Sequence, residues 1–121
     1  PLIDLFEEVV KHYDCSIIEG ARSQEEQDKL FHAGKSKLKW PYSKHNITEA
    51  QPSSLAVDVI PYPGVLNGIS IWQDLNRFYH FVGFVVGIAA HMKIPIRCGA
   101  DWNGDHNLSQ TFVDLPHIEL L

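Results

Sequence analysis

The chain has 121 residues, 45% hydrophobic and 21% charged, with a net charge of −5. That length suits one domain, residues 1–121, with a core that needs no covalent staples, and the acidic balance argues against a nucleic-acid binder, whose affinity comes from neutralising phosphates. The longest charge-free apolar run, Phe81 to Ala90, is far short of the roughly 20 residues of a membrane span, and the acidic, amphipathic opening Pro1 to Val10 does not read as a signal peptide.

Apolar residues at 2, 3, 5, 6, 9 and 10 predict a helix over Leu2–His12. Asp14 to Glu19 reads as a short strand. Ser23, with Glu26 three positions on, is a capping-box signature for a helix running to about Ala33 and ended by Gly34. Residues 35–54 read as a long loop. Their lysines (Lys35, Lys37, Lys39, Lys44) are expected to form a solvated face or to attract an anionic partner. Leu55 to Ile60 (LAVDVI) reads as a buried strand ended by Pro61, Pro63 and Gly64.

Ile71 to Met92 carries the strongest helical periodicity, with Gly83 and Gly87 one turn apart where another element is expected to pack closely. Ile94 to Cys98 reads as a strand and Gly99 to Gln110 as a polar loop. Thr111 to Val113 and His117 to Leu121 read as strand pieces on either side of a turn at Asp114-Leu115-Pro116. Helices and strands mix without a repeated βαβ rhythm, so the expected class is α+β. Cys15 and Cys98, 83 positions apart and outside any CxxC spacing, are expected as buried free thiols.

Three features point to chemistry. Asp58 sits mid-strand between Val57 and Val59, and a carboxylate there is costly to bury unless it is paired, hydrogen-bonded or metal-bound. Asp114 and His117 flank Leu115-Pro116, a spacing that fits either an ordinary turn or a metal ligand with a proton acceptor beside it. His45, in Ser43-Lys44-His45, is a surface histidine if read alone. With Asp58 and His117 it makes a two-histidine, one-carboxylate set, which leaves a zinc coordination position open.

Six pieces in order carry a resemblance that spans most of the chain: Gly20-Ala21-Arg22-Ser23 with Glu26-Gln27, Gly34-Lys35-Ser36, Ser43-Lys44-His45, Ala56-Val57-Asp58, Asp101-Trp102, and Asp114-Leu115-Pro116-His117-Ile118-Glu119-Leu120. Together they resemble the peptidase M15 family, and within it the L-alanyl-D-glutamate endopeptidases of phage endolysins. The resemblance implies a small antiparallel sheet flanked by helices, as in Hedgehog domains and D-Ala-D-Ala peptidases. It implies one Zn2+ per chain on His45, Asp58 and His117, with Asp114 as general base and Arg22 binding substrate or stabilising the oxyanion. Gln27 and Ser43 match supporting motif positions and are expected at the substrate site. Trp40 and Trp102 are expected to wall the cleft or simply to pack, and His106 to border the site.

The implied substrate is the peptidoglycan stem peptide, cut at L-Ala–D-Glu by a monomer that waits in the cytoplasm for release to the cell wall. A D,D-carboxypeptidase or dipeptidase with the same site is the alternative enzyme, and a non-catalytic zinc-containing wall-binding module the alternative binder. Relative to the family pattern, twelve residues separate His45 from Asp58, with an insertion at about Asn46 to Gln51. Ser54 stands where the family has Gly, and Ala100 follows Gly99 in place of a second Gly.

Overall fold

The computed structural model describes residues 1–48 and 53–121. In chain order the elements are α1 (Leu2–His12), β1 (Cys15–Glu19), α2 (Gln24–His32), β2 (Ala56–Pro61), β3 (Val65–Leu66), β4 (Ile69–Ser70), α3 (Leu75–Met92), β5 (Ile96–Gly99) and β6 (Asp114–Leu120). This is the α+β arrangement expected. β1, β2, β6 and β5 form an antiparallel sheet in that order.

The amphipathic stripe of α1 buries Leu2, Leu5, Phe6 and Val9, and α3 buries Phe78, Phe81, Val82, Val85 and Ala89. Both helices lie on one face of the sheet, against Val59, Ile118 and Cys98. Period-2 alternation then turns Asp58, His117 and Glu119 to the opposite face. Cys98 is a buried free thiol, as expected, and Cys15 is free but only half-buried. At the open edge, β1 exposes Ile17 and Ile18 and carries a register shift between Ile17 and Glu19.

Ser23 caps α2 through the predicted capping box, and Gly34 follows the helix with φ +73°. Within α2 the only buried residue is Gln27.

Several expectations need correction. The sequence reading missed the β3–β4 hairpin, although Asn67-Gly68, both with positive φ, is the signature of a type I′ turn. Ile71 is buried but belongs to the turn before α3, which starts at Leu75 after Asp74; the apolar period outruns the helix because the turn also anchors in the core. Ile94 belongs to the helix end, where its N–H bonds the Ala89 carbonyl, and Pro95 delays β5 to Ile96. Nothing lies within 4 Å of a Cβ built on Gly83 or Gly87, so neither marks a close approach.

Asp114-Leu115-Pro116 is strand rather than turn, and Thr111 to Val113 is not strand. β6 tolerates Pro116 because the β2 ladder begins at His117 and the β5 ladder skips from Ile118 to Asp114. No ladder hydrogen bond is asked of the proline nitrogen.

Candidate metal centre

The β2–β6 register sets Asp58 directly opposite His117, so their side chains share the polar face of the sheet. His45 arrives from the loop after α2. Arg22 N–H donates to the His45 carbonyl at 2.7 Å, and Ile47 N–H donates to the Arg22 carbonyl at 3.2 Å. This short parallel bridge of Arg22 with Asn46 clamps the histidine segment beside the end of β1. His45 Nε2 then lies 3.5 Å, and His117 Nδ1 3.3 Å, from Asp58 Oδ1. One ligand atom from each of the three residues lies within 4.8 Å of the others.

The other nitrogen of each imidazole is occupied. His45 Nδ1 lies 2.9 Å from the Gly20 carbonyl, and His117 Nε2 lies 2.8 Å from Glu119 Oε1. Carbonyl and carboxylate oxygens only accept, so the proton of each neutral ring sits there. The lone pairs of His45 Nε2 and His117 Nδ1 are left facing Asp58. Glu119, missed as a functional residue in the sequence, is buried and holds Lys44 Nζ at 3.0 Å on its second oxygen. Lys44 also donates to the Leu120 carbonyl at 2.6 Å, so it is part of the site's support and not of a solvated face.

Asp58 Oδ1 is buried and accepts no hydrogen bond. Two nitrogen lone pairs and an orphaned carboxylate oxygen converging on one point repel one another unless a cation lies between them. Tetrahedral zinc with bonds near 2.1 Å puts its ligands about 3.4 Å apart, and the two measured separations from Asp58 match that spacing. The donor set suits zinc, so the residues fit the group expected from the sequence.

The electrostatics among these groups make the same demand for positive charge. Burial pushes Asp58 up, but the His117 and His45 imidazoles beside it bring it well below the usual carboxylate range. Burial opposes charge on His117, yet Asp58 and Glu119 raise it above its ordinary value.

Asp114 is half-buried, and its carboxyl is raised, first by burial and then by the charge of Asp58; His117, His45 and Arg22 pull the other way. The charges that act on it are those of this centre. Arg22 is buried, with Nε on Glu19 Oε1 at 3.3 Å and Nη1 on Gln27 Oε1 at 2.8 Å.

Gln27 is fully buried, which corrects its expected place at the substrate. Its oxygen accepts from Arg22 and Asn46, and its amide donates to Ser36 Oγ and the Leu38 carbonyl. It holds Arg22 and the histidine loop in place. Ser43 is likewise buried, with its Oγ accepting from His45 N–H.

Trp102 lies against His117 with ring centroids 5.3 Å apart. Its other neighbour is the stacked, exposed Phe112, over which Lys37 Nζ sits. Trp102 thus packs beside the His117 ring, while Trp40 is half-buried in the loop before Ser43. His106 lines a cavity between α3 and β5 instead, far enough along the loop to be outside the ligand group. Ser54 has no positive φ, and its Oγ donates to the Ala56 carbonyl at 2.7 Å, so this serine serves without glycine's freedom. Of the insertion expected at Asn46 to Gln51, residues 49–51 lie outside the described residues.

A family model described as phage L-alanyl-D-glutamate peptidase matches residues 4–121. The L-alanyl-D-glutamate peptidase of Escherichia phage T5 is 31% identical over 113 residues, which cover 90% of this chain and 77% of that protein. Among solved structures, the Serratia marcescens L-Ala D-Glu endopeptidase ChiX superposes with a TM-score of 0.68 at 21% identity, over 99% of this chain and 77% of that one. This last likeness supports the fold.

Proposed function

The chain belongs to the phage L-alanyl-D-glutamate peptidase family, and on that premise we propose that residues 1–121 form a single zinc peptidase domain that hydrolyses the L-Ala–D-Glu bond of peptidoglycan stem peptides. The observation that carries the proposal is the convergence of His45, Asp58 and His117 around the orphaned Asp58 oxygen.

These three residues would hold one zinc ion, which when bound supplies Lewis acidity toward the scissile carbonyl and acidifies the attacking water. Asp114 accepts the proton of that water and returns it to the departing amine. Its burial suits the role, because a carboxyl raised from its ordinary value is a stronger proton acceptor. Arg22 meets the negative charge that develops on the carbonyl oxygen. Nε and Nη1 are held by Glu19 and Gln27, so Nη2 is assigned to the substrate. A preorganised donor of this kind typically contributes about 3 to 4 kcal/mol to the transition state. Trp102 and Phe112 form the aromatic side of the cleft, along which the stem peptide runs.

All of these groups come from one chain, which suits a monomer acting on the wall after release from the cytoplasm. No helix among the described residues is long and apolar enough to cross a membrane.

Mass spectrometry of purified peptidoglycan digested with the protein tests the reading. The expected products carry a new N-terminal D-Glu or D-isoGln, the activity disappears with a chelator, and zinc restores it. Release of free D-Ala in place of a new D-Glu terminus would instead identify a D,D-carboxypeptidase, and an intact wall a non-catalytic module.

A further inference from the structure

β6 passes β5 in a register that a regular antiparallel ladder does not produce. Cys98 pairs with Ile118, so a regular ladder would next pair Gly99 with His117. Gly99 pairs with Asp114 instead. Leu115, Pro116 and His117 are the residues skipped, and Asp114 returns to β5 with its backbone pressed against Gly99. A Cβ built on Gly99 would lie 1.9 Å from the Asp114 carbonyl oxygen, 2.7 Å from its carbonyl carbon and 2.9 Å from its Cβ.

No rotamer change relieves that overlap, because the obstructing atoms are backbone and the first side-chain carbon. Nor can β5 retreat. Cys98 and Ala100, on either side of Gly99, are buried in the core beneath the sheet. Gly99 has no positive φ, so the demand at this position is for space and not for an unusual backbone conformation. A side chain here is accommodated by displacing Asp114. The ligands are held independently of this contact. His45 lies on the loop bridged to Arg22, and Asp58 and His117 are paired across β2 and β6.

We propose that Gly99 is the positioning residue for Asp114: the missing side chain at 99 lets β6 double back so that the Asp114 carboxylate and the His117 imidazole serve one centre from three residues apart. The proposal rests on the reading of Asp114 as proton acceptor.

A double-mutant cycle on a soluble stem-peptide substrate tests it, using Gly99→Ala, Asp114→Asn and the double variant, with zinc content and the kcat and KM of each. Gly99→Ala is expected to bind one zinc per chain and keep KM within about twofold while kcat falls by about 100-fold or more. The double variant is expected to be no slower than Asp114→Asn alone, because the glycine acts only through the carboxylate.

Multiplying losses in the double variant, or wild-type kcat in Gly99→Ala beside an inactive Asp114→Asn, overturns the proposal. Wild-type kcat in Asp114→Asn overturns the reading of Asp114 itself. A crystal structure of the zinc-loaded wild-type protein gives a readout that does not require the alanine variant to fold. Gly99 paired with Asp114, its carboxylate turned to the metal, supports the proposal, and Gly99 paired with His117 sinks it.

Discussion

Replacing Glu119 with Gln changes the charge behind His117 and leaves the shape. In the native chain one carboxylate oxygen accepts from His117 Nε2 at 2.8 Å and the other faces Lys44 Nζ at 3.0 Å. A carboxamide has one oxygen for these two donors. Lys44 is the easier to release, because its side chain is 34% exposed and it keeps the Leu120 carbonyl. The amide oxygen therefore stays on His117 and preserves its tautomer, while the charge that strengthened the bond is lost.

Loss of a group that orients a metal ligand typically costs 10- to 100-fold in metal affinity. With the hydrogen bond kept, Glu119→Gln belongs at the lower end, about tenfold or 1.4 kcal/mol. Glu119→Leu removes the acceptor as well and belongs near 100-fold. Competition for zinc against a chromophoric chelator measures both, with His45→Ala as the blank. If both variants hold zinc as tightly as the native chain, Glu119 does not set the His117 ring and the tautomer argument fails.

His45→Ala should lower zinc from one per chain to none by elemental analysis at stoichiometric metal; retention of a full equivalent would remove His45 from the ligand set. Gln27→Met should destabilise the fold by several kcal/mol, at about 1 to 3 kcal/mol for each buried partner left unsatisfied, seen as a lower urea midpoint with an unchanged slope.

In acid, the stability difference between the metal-free native and Glu119→Gln chains should follow Glu119. Burial raises its carboxyl, but Lys44 and His117 outweigh that and hold it below its ordinary 4.5. A depressed folded value contributes stability above 4.5 that is lost as pH falls through the folded value. The Tm gap between native and Glu119→Gln chains should thus be largest near about pH 5.5, close in stronger acid, and shrink again as pH rises through the His117 range, because Glu119 also raises His117. A gap that widens as pH falls below about 4.5 would contradict the assignment.

The strongest local patterns were readable without coordinates. The apolar stripe of Leu2–His12, the Ser23–Glu26 box and the lone acid in LAVDVI each follow from physics within a few residues, and each took its expected place. The three candidate ligands could be nominated because their types complete a zinc set. What the sequence hid was pairing. Glu119 follows His117 by two, so strand alternation alone puts it on the ligand face, but its meaning depends on Lys44, 75 positions away in the chain. Gln27 looked like a contact residue, and only burial shows that it works from beneath. The reading of Asp114-Leu115-Pro116 as a turn failed because proline is a fair turn marker, and nothing local announces that both neighbouring ladders step around it.

Strand alternation divides β2 and β6 by parity. Val57, Val59 and Ile118 belong to the layer under the helices, while Asp58, His117 and Glu119 belong to the reactive layer. For an engineer, this makes the two sets unequal targets along a single stretch of chain. A library varied only at the first set of positions would sample melting temperature with the polar face left intact, whereas one varied at their alternating neighbours would move both, since Glu119 also contributes stability.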